Sequence, residues 1–90
     1  MNNGVFKALS HPDRRALLSL LKAGPRTAGE LAEHFDVSWP TVSRHLSVLK
    51  EAGLVTAERS GTSIIYTLST SVVEDAASAL LALIGTGDET

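Results

Sequence analysis

The sequence predicts one small α+β domain that is mainly helical, with a two-stranded β-hairpin before its last helix. The 90 residues are 43% hydrophobic and 20% charged, which is the composition of a folded globule. Helix-capping signals divide the first half into short helices, and the apolar period changes from helical to alternating after Gly53. The predicted order is therefore α-α-α-α-β-β-α, within a single domain over residues 1–90.

The first two helices are predicted from an apolar stretch and a helix-start signal. Residues 5–9 contain three large apolar side chains and predict a first short helix. Ser10-His11-Pro12-Asp13 then places a proline and an acidic side chain where a helix begins. The second helix is expected to end at Gly24-Pro25, because neither residue continues a helix well.

Two further helices are predicted from their caps. Thr27 and Glu30 have the spacing of a capping box, in which each side chain satisfies a backbone donor at the helix start. That helix is expected to end near Asp36. Ser38 is the predicted N-cap of a longer helix that ends before Gly53, where a left-handed residue is favoured.

The last third of the chain predicts a hairpin and a terminal helix. Residues 54–59 and 63–68 alternate and are rich in β-branched side chains, and a two-residue loop, Gly61-Thr62, suits a type II′ turn. Ser69-Thr70-Ser71 is expected to cap a helix with apolar positions up to residue 84. A disordered tail is predicted at residues 86–90.

Composition excludes several classes of function. The chain has no cysteine, so disulfides, thiolate metal sites and cysteine nucleophiles are excluded. It also lacks a glycine-rich phosphate loop, a nucleophile elbow and grouped carboxylates, so an enzyme is not expected. The longest nearly apolar stretch, residues 76–84, is far shorter than the roughly 20 residues needed to span a bilayer. Without a readable signal peptide, a cytoplasmic protein with no membrane insertion is expected.

The net charge of −2 is distributed unevenly along the chain. Residues 1–70 contain all eight Lys and Arg against six acidic residues, whereas residues 71–90 contain four acidic residues and no basic one. The asymmetry indicates a division of roles, in which only the first part meets a polyanion.

A short turn between two helices, followed directly by a hairpin, is the pattern of a winged helix-turn-helix. The outward face of the second helix carries no carboxylate before Glu51; it presents small donors and one guanidinium, as phosphates and base edges require. The candidate major-groove residues are Ser38, Trp39, Pro40, Thr41, Ser43, Arg44, His45 and Ser47. The candidate backbone or minor-groove residues in the hairpin are Arg59, Thr62 and Ser63.

Several of these residues also have a purely structural interpretation. Ser38 and Thr41 can act as caps alone, and Arg44 can be a solvated surface residue. Trp39 either packs against the preceding helix or lies against the sugar–phosphate backbone. His45 is better explained as a half-buried packing residue than as a base contact.

Three segments, residues 6–15, 27–32 and 42–55, together with Tyr66, resemble the ArsR family of bacterial winged-helix repressors. The resemblance covers about residues 3–85 and is closest to a group of small autorepressors that share the segment Thr27 to Phe35. It implies a homodimeric transcription factor that binds a double-stranded DNA operator. It further implies that residues 1–10 and 70–85 form the dimerisation helices.

The last helix supports a dimer independently, because apolar residues occupy two of its faces. One set lies at positions 72, 76, 80 and 83 and the other at 73, 77, 81 and 84, and a terminal helix on a small monomer buries only one of them. The candidate dimer-interface residues are Val5, Phe6, Leu9, Val72, Val73, Ala76, Ala77, Leu80, Leu81, Leu83 and Ile84.

The usual metal sites of the family are not readable in this sequence. By resemblance they would use a Cys-x-Cys motif before the recognition helix or His and carboxylates on the last helix, where this chain has only Glu74 and Asp75. No metal and no cofactor are therefore expected. His11, His34 and His45 lie on three different predicted elements, and Glu30 with His34 is best explained as a surface pair.

Three alternatives stay open from the sequence alone. One is a nickel- or zinc-responsive regulator with a non-standard site between protomers. Another is a winged-helix protein-interaction module that does not bind DNA. An unidentified protein or small-molecule effector is also compatible with a repressor.

Overall fold

The helix-rich α+β architecture predicted from the sequence is confirmed in the computed structural model, which describes residues 3–85, with one strand more than expected. The elements are α1 (Asn3–Ala8), α2 (Pro12–Leu21), β1 (Arg26–Thr27), α3 (Ala28–Ala32), α4 (Trp39–Glu51), β2 (Val55–Ser60), β3 (Ser63–Leu68) and α5 (Thr70–Ala82). The predicted tail at 86–90 lies outside the described residues.

Three of the four predicted helix starts have side-chain capping bonds, which the sequence predicted for α3 and α4. The N-cap of α2 is His11, whose Nδ1 accepts a hydrogen bond from the Asp13 amide at 3.1 Å. The Thr27 hydroxyl and the Glu30 carboxylate form the reciprocal capping box of α3, at 3.1 and 2.8 Å. The Ser38 hydroxyl accepts from the Thr41 amide at 3.4 Å and caps α4.

The predicted side-chain cap of α5 was wrong. Ser69 occupies the N-cap position, but its hydroxyl makes no capping hydrogen bond. Its backbone amide instead donates to the Leu54 carbonyl at 2.9 Å. The start of α5 is thus fixed by a tertiary backbone contact with the segment that follows α4.

Two glycines adopt the left-handed conformation that the sequence predicts at the end of α4 and in the hairpin turn. Gly53 has φ +82° directly after the C-cap of α4, and Gly61 has φ +64° in the loop between β2 and β3. Thr62 does not share this conformation, since no non-glycine residue of the described chain has positive φ. Positive φ at the first loop residue alone is the signature of a type II′ turn.

The hairpin belongs to a three-stranded antiparallel sheet in the order β1-β3-β2. Val55 is opposite Leu68 and Ser60 is opposite Ser63, so β2 and β3 pair along their whole length. The sequence did not predict β1, which places Arg26 opposite Tyr66. Two residues are too few to show an alternating pattern, and this strand exists only because β3 lies beside it.

The core lies between the helices and the inner face of the sheet. Its largest fully buried side chains are Leu17, Leu31, Val42, Leu46, Leu49, Leu54 and Val55. Three of them belong to α4, and burial of each such side chain contributes about 1.5–3 kcal/mol. The orientation of α4 about its own axis is therefore set by its apolar face, which leaves the opposite face in solvent.

Burial in α5 changes along the helix, whereas the sequence predicted two continuous apolar faces. Ala76 is buried in the protomer's own core, and Val72 and Val73 pack against that core. Beyond them every residue from 80 to 85 is exposed, with Leu83 at 81% and Ile84 at 70%. In the described part of the chain, no helix is long and apolar enough to cross a membrane.

Candidate nucleic-acid interface

The outer face of α4 presents polar side chains to solvent. Because the helix turns about 100° per residue, burial of its apolar stripe turns Ser43, Arg44 and Ser47 outward, and all three are exposed. The first turn adds exposed Pro40 and half-buried Thr41. These five predicted contact residues therefore lie together on one accessible surface.

The first turn of α4 lies beside the tip of the hairpin. Trp39 is 52% exposed, and it lines a groove of about 320 Å³ together with Thr62, Ser63 and Ile64. Ser38 caps the start of α4, and its hydroxyl oxygen lies 3.0 Å from the hydroxyl oxygen of Thr41. The Trp39 indole is thus partly buried. The predicted contact residues of α4 and the tip of the hairpin form one continuous surface.

Arg59 lies on the sheet face that continues toward this groove. In an antiparallel pair, residues directly opposite each other project to the same face, and Arg59 is opposite Ile64. Ile64 lines the groove beside Trp39. Strand alternation places the neighbouring Glu58 on the other face, so the guanidinium rather than the carboxylate is on the side of α4.

Three of the five arginines are engaged within the fold. Arg14 donates to the carbonyls of Ala8 at 2.7 Å and Lys7 at 3.2 Å, while Arg15 donates to the Leu9 carbonyl at 2.8 Å and Arg26 to that of Leu20 at 3.2 Å. Each of them satisfies carbonyls at a helix end.

Arg44 and Arg59 differ from the other three arginines. Neither guanidinium has a hydrogen bond or an ion pair within the described residues, and both side chains are exposed. These two are the arginines that the sequence assigned to DNA contact.

The structure places His45 away from the outer face, although it was among the predicted DNA contacts. It is 8% exposed, its Nδ1 lies 3.3 Å from Arg14 Nη1, and its Nε2 lies 4.0 Å from Asp13 Oδ2. Desolvation lowers the pKa of His45, and the charges of His11, Arg14 and Arg44 lower it further against the opposing effect of Asp13. The packing interpretation of His45 fits these contacts.

The fold also brings together two histidines that the sequence placed on separate elements. The rings of His11 and His45 have centroids 4.4 Å apart, and Asp13 lies beside both. His34 is elsewhere: its Nδ1 donates to the Glu30 carbonyl at 3.0 Å, while the Glu30 carboxylate is occupied by the Thr27 amide. The predicted Glu30–His34 pair is thus a side-chain-to-backbone contact. No local pattern could have revealed the cluster, because His11 and His45 are far apart in sequence.

The segment from the start of α2 to the middle of β2 decides the family. Residues 11–57 match the family model described as bacterial regulatory protein, arsR family. The chain belongs to the ArsR family. It is 48% identical over 86 residues to the transcriptional repressor SdpR of Bacillus subtilis (strain 168), covering 96% of each chain.

Other relatives of this ArsR-family chain differ in length and in named role. It is 41% identical to a probable mercury resistance operon repressor of Streptomyces lividans, over 78% of this chain and 56% of that protein. Among solved structures, an ArsR family transcriptional regulator superposes with a TM-score of 0.84 at 31% identity, covering 90% of this chain and 89% of that one. The predicted winged-helix fold and the expectation of a regulator rather than an enzyme are confirmed.

Proposed function

We propose that this ArsR-family chain is a DNA-binding transcriptional repressor that inserts α4 into the major groove of an operator. One observation carries the proposal: the only two arginines without a protein partner among the described residues, Arg44 and Arg59, lie on the exposed faces of α4 and the hairpin. Guanidinium groups left free in this way match the bidentate geometry of phosphates and guanine edges.

The proposed contacts divide by element. Residues of α4 and its cap would reach base edges and adjacent phosphates, while the hairpin would contact the backbone or the minor groove. The major-groove set is Ser38, Trp39, Pro40, Thr41, Ser43, Arg44 and Ser47, and the hairpin set is Arg59, Thr62 and Ser63. His45 is left out because its ring is buried against α2. It would support α4 from behind.

The acting species in this proposal is a homodimer. The exposed end of α5 and the turn after it carry Leu80, Leu81, Leu83 and Ile84, an apolar patch of a kind that soluble monomers avoid. Val5 and Ala76 are already buried within the protomer, so the interface would use the exposed end of α5 with half-buried Phe6 and Leu9 of the α1 region. Pairing about a two-fold axis presents two copies of α4 to successive major grooves.

Repression would follow from occupancy of the operator. The relatives SdpR and the Streptomyces protein are both named repressors, which supports this direction of control. The acidic residues Glu74 and Asp75 are exposed on α5, which would face away from the DNA in this arrangement. They would not oppose the phosphates, and the protein would act in the cytoplasm, where the DNA is.

Selection from a pool of random-sequence duplexes tests the proposal without a known operator. We expect enrichment of an inverted repeat whose half-sites are centred about 10 base pairs apart. The selected duplex should then bind at least about 10³-fold more tightly than its scrambled version at physiological salt. A pool that stays random, with equal binding to both duplexes that collapses as salt rises, would instead indicate a protein-interaction module.

A further inference from the structure

A cluster of three potential metal ligands joins the start of α2 to α4. Two of them lie at the start of α2, His11 as its N-cap and Asp13 in its first turn, and the third is the buried ring of His45. One ligand atom from each residue lies within 4.8 Å of the others. We propose that His11, Asp13 and His45 form a binding site for a single divalent transition-metal ion of the zinc class, within one protomer.

The donor set fits this class of ion. Two imidazoles and one carboxylate are typical ligands of zinc and its neighbours, whereas magnesium and calcium prefer oxygen alone. Tetrahedral coordination with bonds near 2.0–2.1 Å brings the ligand atoms to about 3.3 Å from one another. The 4.0 Å between His45 Nε2 and Asp13 Oδ2 therefore closes by less than about 1 Å, and no pair of ligand atoms within 4.8 Å has to close by more than about 1.5 Å, which side-chain rotation supplies.

One side of the cluster is open and the other is closed. His11 and Asp13 are half-buried, so an ion can enter from solvent, while His45 forms the floor of the site. Within the described residues, His45 Nε2 has no hydrogen bond, and Asp13 Oδ2 lies 4.0 Å from it. Three protein ligands leave a fourth position for water or for a small anion.

Binding at Nε2 requires a change of tautomer in His45. The hydrogen bond that Arg14 Nη1 donates to Nδ1 assigns the ring proton to Nε2 in the metal-free state. Coordination takes the Nε2 lone pair, so that proton moves to Nδ1 with no net proton release, and the Arg14 contact is lost. Arg14 keeps its bonds to the carbonyls of Ala8 and Lys7.

Two nearby cations limit the affinity of the site. Arg14 and Arg44 both face His45 with positive charge, whereas Asp13 supplies the one negative charge. We therefore expect weaker binding than in a closed four-ligand zinc site. The neutral form of His45, which its burial favours, is the form that coordinates.

A Co²⁺ and Zn²⁺ titration of the chelator-treated full chain tests the site. Co²⁺ reports tetrahedral coordination by its visible absorption, and calorimetry with Zn²⁺ gives the stoichiometry; we expect one ion per chain. The variants are His11→Asn, which retains a side chain able to cap α2, and Asp13→Asn. Each should weaken binding by at least about tenfold. Circular dichroism verifies that both variants stay folded.

The matched control is His34→Asn, which removes the third histidine of the chain from an exposed position on a different element. We expect it to leave the affinity and the Co²⁺ spectrum unchanged. The site is refuted if saturable binding is absent, if His11→Asn binds like the parent chain, or if His34→Asn loses as much affinity as His11→Asn. The measurement uses protein alone, so its outcome does not depend on whether the chain binds DNA.

Discussion

Arginine side chains show why net charge alone says little about this molecule. The chain has five arginines, and a charge count treats them alike. In the fold, Arg14, Arg15 and Arg26 are bound to backbone carbonyls, so their charge mainly stabilises helix ends. Among the arginines, only Arg44 and Arg59 have a guanidinium free of hydrogen bonds and ion pairs within the described residues and therefore available to a polyanion. A weakly acidic protein can therefore present a locally basic surface.

Substitution of Arg44 tests this assignment. Arg44→Ala removes a guanidinium that has no partner in the protomer, so the fold should lose little stability. If this side chain contacts a base, binding to the selected duplex should weaken by about 1–3 kcal/mol at fixed salt, measured by fluorescence anisotropy. Discrimination against the scrambled duplex should fall at the same time.

The control for this substitution removes one positive charge elsewhere. Lys22 is exposed at the C-cap of α2 and belongs to neither α4 nor the hairpin, so Lys22→Ala should change affinity far less. Equal losses in the two variants would mean that Arg44 contributes only general charge.

Residue positions on α4 could be predicted from the sequence because helical periodicity alone fixes them. Once Val42, Leu46 and Leu49 are assigned to the core, Ser43, Arg44 and Ser47 must face outward. His45 lies at the edge of the apolar stripe, where periodicity is ambiguous. Its burial depends on Arg14 and Asp13, which are contributed by another helix. Such tertiary contacts leave no local signal.

At the level of elements, backbone hydrogen bonding explains which predictions hold. The caps of α2, α3 and α4 use side chains within three residues of the amides that they satisfy, so their signals are local. Strand β1 and the start of α5 depend on distant partners, β3 and Leu54 respectively. Strand β1 was not predicted, and the start of α5 was assigned to a side-chain cap instead of this backbone hydrogen bond.

Two glycines provide a test of how α4 ends. Gly53→Ala should destabilise the protein by more than about 1 kcal/mol, because its φ of +82° disfavours any side chain. Steric contact is not the cause, since an added Cβ would meet only Val72 Cγ2 at 3.9 Å. Thermal or urea unfolding followed by circular dichroism measures the change in the free energy of unfolding.

The matched substitution is Gly29→Ala within α3. Gly29 has no positive φ, and its added Cβ would meet the Thr27 hydroxyl oxygen at 3.8 Å, an ordinary contact. Alanine restricts the unfolded chain and favours the helix, so stability should rise by about 0.4–1 kcal/mol. A Gly53→Ala chain at least as stable as the parent chain would contradict the left-handed termination of α4, and a loss of stability in Gly29→Ala would contradict the assignment of Gly29 to an ordinary helical position.

For the whole molecule, the change in burial along α5 separates the residues that fold the protomer from those available for the proposed dimer. The first half of the helix completes the core of the protomer through Ala76, and the second half contributes nothing to that core. The sequence could not show this division, because apolar residues recur at helical spacing in both halves. A substitution in the second half should therefore affect association without affecting the fold.

Leu80→Glu combined with Leu81→Glu tests the proposed dimer. Both side chains are about half exposed in the protomer, at 50% and 45%, so the fold should survive, but four carboxylates would have to be buried in a paired interface. We expect sedimentation to give a monomer and binding to the selected duplex to fall, because one recognition helix replaces two. Ser71→Glu with Ser78→Glu adds the same charge on the polar face of α5, beside Glu74 and Asp75, and should leave the dimer intact. A leucine double variant that sediments as a dimer would place the interface elsewhere on the molecule.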